Sequence, residues 1–452
     1  MSQLFRSRLM LTLSIATAGA ATTMLAGGNG PNLLELINPS GIARTFDTSG
    51  AIDLQNPFFQ SLGTNGRSCA SCHDANSGWS LTPSHVQDRF NATAGMDPIF
   101  RTNDGSNSPL ADVSTVQTRR RAYNMLLSKG LIRVGIAVPQ NAEFELLAVD
   151  DPYHYASTNE LSLFRRPLPS TNLSFLSAVM WDGRETFADE SIHFDLSDQA
   201  NGATLGHAAS VNPLTPAQRE SIVDFEIGLY TAQAVDKAAG ILNAAGGNGG
   251  PHELSRQPFS IGINDSLSAG FDPRAFTLYD GWRDLRSSKN NPFTSARSAI
   301  YRGQEIFNTR TFTVSGVRGV NDVLQTPSLT ATCTTCHDSP NAGSHSAALP
   351  LDLGLTDAAL RTPDMPLYTF RNKTTGEVVK TTDPGRALIT GKWQHMSTFK
   401  GPVLRGLAAR APYFHNGLAA TLDDAVQFYN TRFNIGLTPQ EKADLVAFLS
   451  AL

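Results

Sequence analysis

The chain has 452 residues, 40% of them apolar and 17% charged, with a formal net charge of −4. That composition supports hydrophobic cores for two or three domains, two being simplest, and excludes a disordered chain or acidic tail. There is no long basic run, and so no electrostatic footprint for nucleic acid.

At the N-terminus, Arg6 and Arg8 precede an apolar run from Leu9 to Ala16 and the small residues Ala18-Gly19-Ala20. This reads as an export signal with a cleavage site, and residues 1–26 are assigned to it. The run falls short of the ~20 apolar residues a bilayer span needs. No other segment is long and apolar enough, so the mature protein is expected to be soluble, periplasmic and without a membrane span.

Next comes Asn56 to Arg67, an apolar lead-in to Cys69-Ala70-Ser71-Cys72-His73; Ala299 to Phe307 leads in the same way toward Cys333-Thr334-Thr335-Cys336-His337. Both lead-ins are expected to be helical and to feed a loop that holds the thiols. The four cysteines of the chain all fall in these two loops. An even cysteine count in an exported protein first suggests disulfides, but here each Cys-x-x-Cys pair is followed at once by histidine. Two thiols at that spacing can add to the two vinyl groups of one haem, and the next residue can ligate the iron through imidazole. A single copy would also suit a thiol–disulfide motif or half a zinc site. Two complete copies that use every cysteine point to two covalently bound haems c, with His73 and His337 as iron ligands.

Residues 90–115 are rich in Asn, Asp, Gly, Ser and Pro and read as a long loop; Ala244 to Pro251 reads as a flexible surface loop near a domain junction. A weak repeat follows each motif: Pro169 to Leu173 precedes Trp181-Asp182-Gly183 much as Pro402 to Gly406 precedes His415-Asn416-Gly417. Such a repeat fits two related haem domains. Alternating strand patterns are few, so the expected fold is mainly α. Near the C-terminus, Thr421 with Asp424 and Thr438 with Glu441 are helix-start signals. Leu422, Val426 and Tyr429 should share one helix face, and Leu445, Phe448, Leu449 and Leu452 should form the apolar stripe of the last helix.

These residues resemble the bacterial di-haem cytochrome c peroxidases and their relative MauG, the maturation enzyme of methylamine dehydrogenase. The resemblance is carried by the two haem motifs, by Trp181-Asp182-Gly183-Arg184, by Ala411 to Gly417 (Ala-Pro-Tyr-Phe-His-Asn-Gly) and by Leu437 to Leu449. It spans roughly residues 55 to 452, with long unmatched stretches. It implies two cytochrome-c-like helical domains with long loops: a peroxidatic haem domain over 27–260 and an electron-transfer haem domain over 261–452. The implied reaction is reduction of hydrogen peroxide with electrons from a small cytochrome c or cupredoxin, or oxidation of a partner protein as in MauG.

Residue by residue, the resemblance transfers unevenly. Trp181 matches the tryptophan that carries electrons between the haems. Tyr429 falls where the family places the sixth ligand of the second haem, with Met396 and His395 as rivals. On the reactive side the family has a glutamine and then a glutamate. Gln199 can match the glutamine, but no glutamate stands at the matching distance, and His207 is the nearest acid–base candidate. His207 could equally ligate the iron. Glu185 and Glu190 are outlying acid candidates, and His85 is a candidate closing ligand of the first haem. The family also implies a calcium ion near the carbonyls of Arg410 and Pro412, although the matching asparagine is not found. Two other readings stay open: a non-catalytic electron-transfer cytochrome, and a di-haem oxygenase of the rubber-cleaving type.

Overall fold

The computed structural model describes residues 32–285 and 292–452, so the export-signal reading lies outside the described residues. Ten helices occur among them: α1 (Pro83–Thr93), α2 (Val116–Ala122), α3 (Asn124–Lys129), α4 (Ile192–Gly206), α5 (Pro216–Gly228), α6 (Pro251–Leu254), α7 (Thr294–Thr309), α8 (Ala387–Thr390), α9 (Leu422–Arg432) and α10 (Pro439–Ser450). Eleven strands accompany them: β1 (Leu33–Asn38), β2 (Gly41–Asp47), β3 (Ile132–Ile136), β4 (Phe144–Asp150), β5 (Leu161–Arg165), β6 (Leu229–Asp236), β7 (Gly240–Ile241), β8 (Phe312–Ser315), β9 (Ser328–Ala331), β10 (Leu367–Asn372) and β11 (Val378–Thr381).

The expectation of a mainly α fold is therefore corrected: helix accounts for 30% and strand for 17% of the chain. The strands escape a pattern search because their inward positions are not large and apolar. Along β2 the buried residues are Ala43, Thr45 and Asp47. Thr45 is held inside by hydrogen bonds, to the Thr231 hydroxyl at 2.8 Å and from the Trp79 indole nitrogen at 2.8 Å. β5 fails the search for the opposite reason, being buried at every position and so lacking alternation.

The sheets are small and antiparallel. One runs β1-β2-β6-β7, and another runs β11-β10-β4. The second joins strands from both sides of residue 260, pairing Phe144 with Asn372 and Asp150 with Leu367. Its core contains Phe144, Leu161, Tyr368, Phe370 and Met396.

Two helix pairs frame the rest. α9 and α10 start as the sequence indicates: the Thr421 hydroxyl accepts from the Asp424 amide at 3.1 Å, and the Thr438 hydroxyl from the Glu441 amide at 3.2 Å. α5 uses the same device, Thr215 accepting from the Gln218 amide at 3.2 Å. The second lead-in is helical within α7, whereas the first is only a short turn, Pro57–Phe59. There the chain passes too close to its neighbour for a helix, since a Cβ on Gly63 would lie 1.9 Å from the Ala208 carbonyl oxygen. The loop Ala244 to Pro251 is also packed rather than free: Gly247 and Gly249 are buried, and a Cβ on Gly247 would meet the Trp282 ring at 2.7 Å.

α7 crosses α10 at Gly303, where a Cβ would stand 2.0 Å from the Asp444 carbonyl oxygen and 2.7 Å from the Phe448 Cβ. Gly303→Ala should therefore destabilise the fold by about 1–3 kcal/mol through overpacking, read as a lower denaturant midpoint. A variant as stable as its parent would mean that the two helices do not meet this closely.

Candidate functional site: two cofactor cavities

The two Cys-x-x-Cys-His loops fold alike. Each starts with a hydroxyl exchange, the Ser68 amide donating to Ser71 Oγ and the Thr332 amide to Thr335 Oγ1, both at 3.0 Å. A short turn then brings the His73 amide to the Cys69 carbonyl at 2.9 Å and the His337 amide to the Cys333 carbonyl at 3.1 Å. His73 Nδ1 meets the Trp79 carbonyl at 3.2 Å, and His337 Nδ1 meets the Gly343 carbonyl at 2.7 Å. A carbonyl can only accept, so Nδ1 carries the proton and Nε2 keeps its lone pair for a metal. Burial pushes both imidazoles down to about 4, so they are neutral at physiological pH.

Each loop edges a large cavity, about 1510 Å³ beside Cys69, Cys72 and His73, and about 1500 Å³ beside Cys333, Cys336 and His337, both partly open to solvent. None of the four cysteines is in a disulfide. A large cavity flanked by two thiols and a neutral imidazole with an available Nε2 fits haem c, since the thiols can reach vinyl groups and the imidazole the iron.

The helix pairs α4–α5 and α9–α10 wall the two cavities in the same register. Leu196, Gln199, Ala200, Ala203 and His207 line the first; Leu422, Ala425, Val426, Tyr429 and Phe433 line the second with identical spacing. On the following helices, Ile222 and Glu226 answer to Leu445 and Leu449. Thus Ala203 stands in the first cavity where Tyr429 stands in the second. Gln199, His207 and Glu226 replace Ala425, Phe433 and Leu449.

A shared wall separates the cavities, and Trp181, Lys400 and Pro402 border both. The Trp181 indole donates to the Arg166 carbonyl at 2.8 Å, and its own carbonyl accepts from the Lys400 amide at 2.9 Å. The Trp181 ring lies edge-on to His415 with centroids 6.1 Å apart, and His415 stacks on Phe399 at 4.0 Å. The repeat seen in sequence is a repeated backbone turn: φ is +67° at both Met180 and Phe414, and +67° and +66° at Gly183 and Gly417. Upstream, the match moves by one residue from the sequence reading, Asn172 at +62° corresponding to Gly406 at +74°.

Behind Trp181, fully buried Arg165 donates to both oxygens of Asp383, at 2.7 and 2.9 Å, and to Asp182. Burial alone would raise the Asp182 carboxyl, but Arg165 and Arg184 outweigh it and hold it down to about 2.

Of the residues nominated from the sequence, Gln199 and His207 face the first cavity, Tyr429 the second, and Trp181 both. His207 Nδ1 is bonded to the Asp104 carboxylate, which Arg67 also binds. With Nδ1–H given to a carboxylate, Nε2 is the free basic atom. Burial, reinforced by the neighbouring thiols, raises the Tyr429 phenol and keeps it neutral in the cavity as it stands. Met396 is elsewhere, buried in the core around Phe144 and Phe370. His395 Nδ1 bonds to the Thr390 hydroxyl at 2.8 Å, and His85 Nδ1 to Ser77 Oγ at 2.8 Å, and neither borders its cavity. Glu185 and Glu190 do not border the first cavity either.

The Arg410 carbonyl, one of the two expected around calcium, is already engaged. The Arg410 carbonyl accepts from the buried Arg166 guanidinium at 3.0 Å, which also donates to the carbonyls of Leu81 at 2.5 Å and Lys129 at 2.9 Å. A fixed cation thus already holds the Arg410 carbonyl, one of the two that calcium would need. Among the described residues, the one cluster of three or more acidic or imidazole ligands is His193, Glu220 and Asp224, away from this point.

Three residues escape the sequence reading: Asp104, Lys400 and Glu226. Nothing local marks Asp104 or Lys400. Glu226 could have been found by aligning Leu214-Thr215-Pro216 with Leu437-Thr438-Pro439, which sets it against Leu449.

No family model matches the chain. By sequence it is similar to a cytochrome-c peroxidase, IdrP2, of Denitromonas iodatirespirans, 34% identical over 131 residues that cover 26% of this chain and 35% of that protein. It is similar also to the cytochrome c551 peroxidase of Nitrosomonas europaea, 39% identical over 69 residues (15% of this chain, 21% of that protein). The cytochrome c551 peroxidase of Pseudomonas aeruginosa is 31% identical over 121 residues (26% and 30%). The chain spans about a third or less of the length of these relatives. Among solved structures, a MauG-like protein associated with microbial copper homeostasis is 15% identical, covers 89% of this chain and 88% of its own, and has a TM-score of 0.38. That likeness is too loose to transfer residues. No helix among the described residues is long and apolar enough to cross a membrane.

Asp182→Asn should cost about 3–5 kcal/mol, because it leaves Arg165 buried and under-compensated. The Asp182 carboxyl is lower in the folded chain, about 2, than its ordinary 3.8. Its stabilisation is therefore full above the ordinary value and lost as pH falls toward 2. Denaturant midpoints of parent and variant should stay apart near neutral pH and converge below about pH 4. Equal midpoints at pH 7 would show that the cluster does not brace the wall.

Proposed function

We propose that this chain, a relative of the bacterial cytochrome c peroxidases, is a periplasmic di-haem oxidoreductase that reduces hydrogen peroxide in its first cavity with electrons entering through its second. Cys69, Cys72 and His73 would hold one haem c, and Cys333, Cys336 and His337 the other, in two haem-binding units over residues 27–260 and 261–452. A small cytochrome c or cupredoxin would be the electron donor. The observation that carries the reading is the asymmetry of two matching walls: Gln199, Ala203 and His207 line the first cavity at the spacing at which Ala425, Tyr429 and Phe433 line the second.

Bound haem would supply the redox change and an iron site for a small oxidant. The side chains of the chain do the rest. His73 would hold the group through Nε2, and Ala203, at the position that Tyr429 takes in the second cavity, offers no ligand atom. His207, oriented by Asp104, accepts a proton from the near oxygen of peroxide at Nε2 and returns it to the far oxygen, which then leaves as water. Gln199, one turn before Ala203, hydrogen bonds the oxidant. In the second cavity Tyr429, which borders it together with His337, would be available to hold the group, which suits a relay rather than a reaction chamber. An anionic phenolate there would favour the oxidised states. Trp181, bordering both cavities, lies on the path between them.

Electron-paramagnetic-resonance spectra of the holoprotein, before and after one equivalent of hydrogen peroxide, test this. A high-spin ferric signal should vanish while a low-spin signal also changes. His207→Ala should lower the rate of peroxide reduction by about 10²-fold or more at unchanged haem content. Two low-spin signals that ignore peroxide, in both the resting and the half-reduced protein, would instead make the chain an electron carrier.

A further inference from the structure

Glu226 on α5 is buried, only 6% exposed, and borders the first cavity. Its carboxylate has no hydrogen-bond or ionic partner among the described residues, and burial is the one influence acting on it. A buried acid without a partner is costly and calls for an explanation. The fold itself does not require it. The stretch from Leu214 to Leu229 matches that from Leu437 to Leu452 at Thr215 and Thr438, Pro216 and Pro439, Val223 and Val446, and Phe225 and Phe448. At the position of Glu226 the second stretch has Leu449, which borders the second cavity.

We propose that Glu226 is the proton acceptor of the first cavity: its carboxylate takes up one proton from solvent as one electron enters the site formed by Cys69, Cys72 and His73. The inference rests on the haem reading of that loop. The electron comes from the donor protein or a chemical reductant, and the proton forms the O–H bond of the neutral acid; no bond breaks. A ferric centre carries one more positive charge than a ferrous one and favours the ionised carboxylate. When that charge is lowered, burial favours the neutral acid. In the cavity as it stands, burial already pushes Glu226 up to about 8.

One other group facing the cavity falls in the same range: burial pushes Lys400, which borders both cavities, down to about 7. Of the elements packed on α5, the turns Pro57–Phe59 and Leu173–Phe175 and the strand β6 bring no ionisable side chain into the cavity. The end of α4 brings His207, already bonded to Asp104, and the motif loop brings Cys69, whose thiol the carboxylate helps to raise. Across the cavity, His73 is engaged with the Trp79 carbonyl and Lys400 with the Ala178 carbonyl at 2.6 Å. Arg67, Arg165 and Arg184 are paired with aspartates, and Arg166 with carbonyls.

The test is spectroelectrochemical titration of the holoprotein over about pH 6 to 9, a window around the buried acid, for the parent, Glu226→Gln, Glu226→Leu and Glu226→Asp. In the parent, the midpoint potential of the first site should fall as pH rises. The slope should be lost in the Gln and Leu variants and restored in the Asp variant, with the second site unchanged in all four. Glu226→Leu carries the residue of the matching helix and should also melt at a higher temperature. A slope that persists in Glu226→Gln, or that disappears in His207→Ala instead, overturns the proposal. Absence of covalent haem at Cys69 and Cys72, seen by absorption of the denatured parent, would instead overturn the haem reading itself.

Discussion

The wall between the two cavities depends on one buried cation. Arg165 lies at the end of β5 and binds Asp383 with two hydrogen bonds and Asp182 with a third. Asp182 is the neighbour of Trp181, so the cluster fixes where the indole stands. The same cation lies over the ring of Phe399, which stacks on His415. An ion cluster is a costly way to brace an interior, but its fixed geometry suits a partition whose faces must be held between two large cavities. Arg166 continues the theme, tying the carbonyls of Leu81, Lys129 and Arg410 together with a guanidinium in place of a metal ion.

Around that partition the chain uses one arrangement twice and varies it at a few positions. Both motif loops, both sets of positive-φ turns and both capped helix pairs match in backbone, while the side chains facing the cavities differ. On the matching helices the second cavity presents apolar residues and the Tyr429 phenol. The first has an amide, an imidazole and a carboxyl at corresponding positions. Polar groups at such places reduce packing stability, and their concentration in one cavity is the reason the first is proposed as the chamber for chemistry.

Legibility followed the range of the interactions. The capped starts of α9 and α10 depend on residues three apart, and they were readable from Thr421 with Asp424 and Thr438 with Glu441. The apolar face carrying Leu422, Val426 and Tyr429 was readable for the same reason. The strands were not, because β2 turns Ala43, Thr45 and Asp47 inward and holds Thr45 through partners at Trp79 and Thr231. The glycines after Ala244 suggested freedom, but they serve close approach to Leu242 and Trp282. Among the site residues, His207 could be nominated from its place after Gln199; its tie to Asp104 spans a hundred residues of chain and a long loop.

By itself, the sequence determined the chemistry of attachment. Two copies of two thiols and an imidazole at fixed local spacing account for every cysteine of the chain, and that spacing survives any fold that leaves the loops intact. It also determined the helix caps and the repeat, since these are set by neighbours within a turn or by similarity along the chain. Only the tertiary structure decided which groups share a cavity. It put Met396 into a β-sheet core and His85 and His395 outside the cavities, brought Trp181 and Lys400 to the common wall, and set Ala203 in the first cavity at the position Tyr429 takes in the second. The physical reason is that cavity walls are assembled from segments far apart in sequence. Burial and the absence of a partner among the described residues, which single out Glu226, are properties of that assembly and of no single segment.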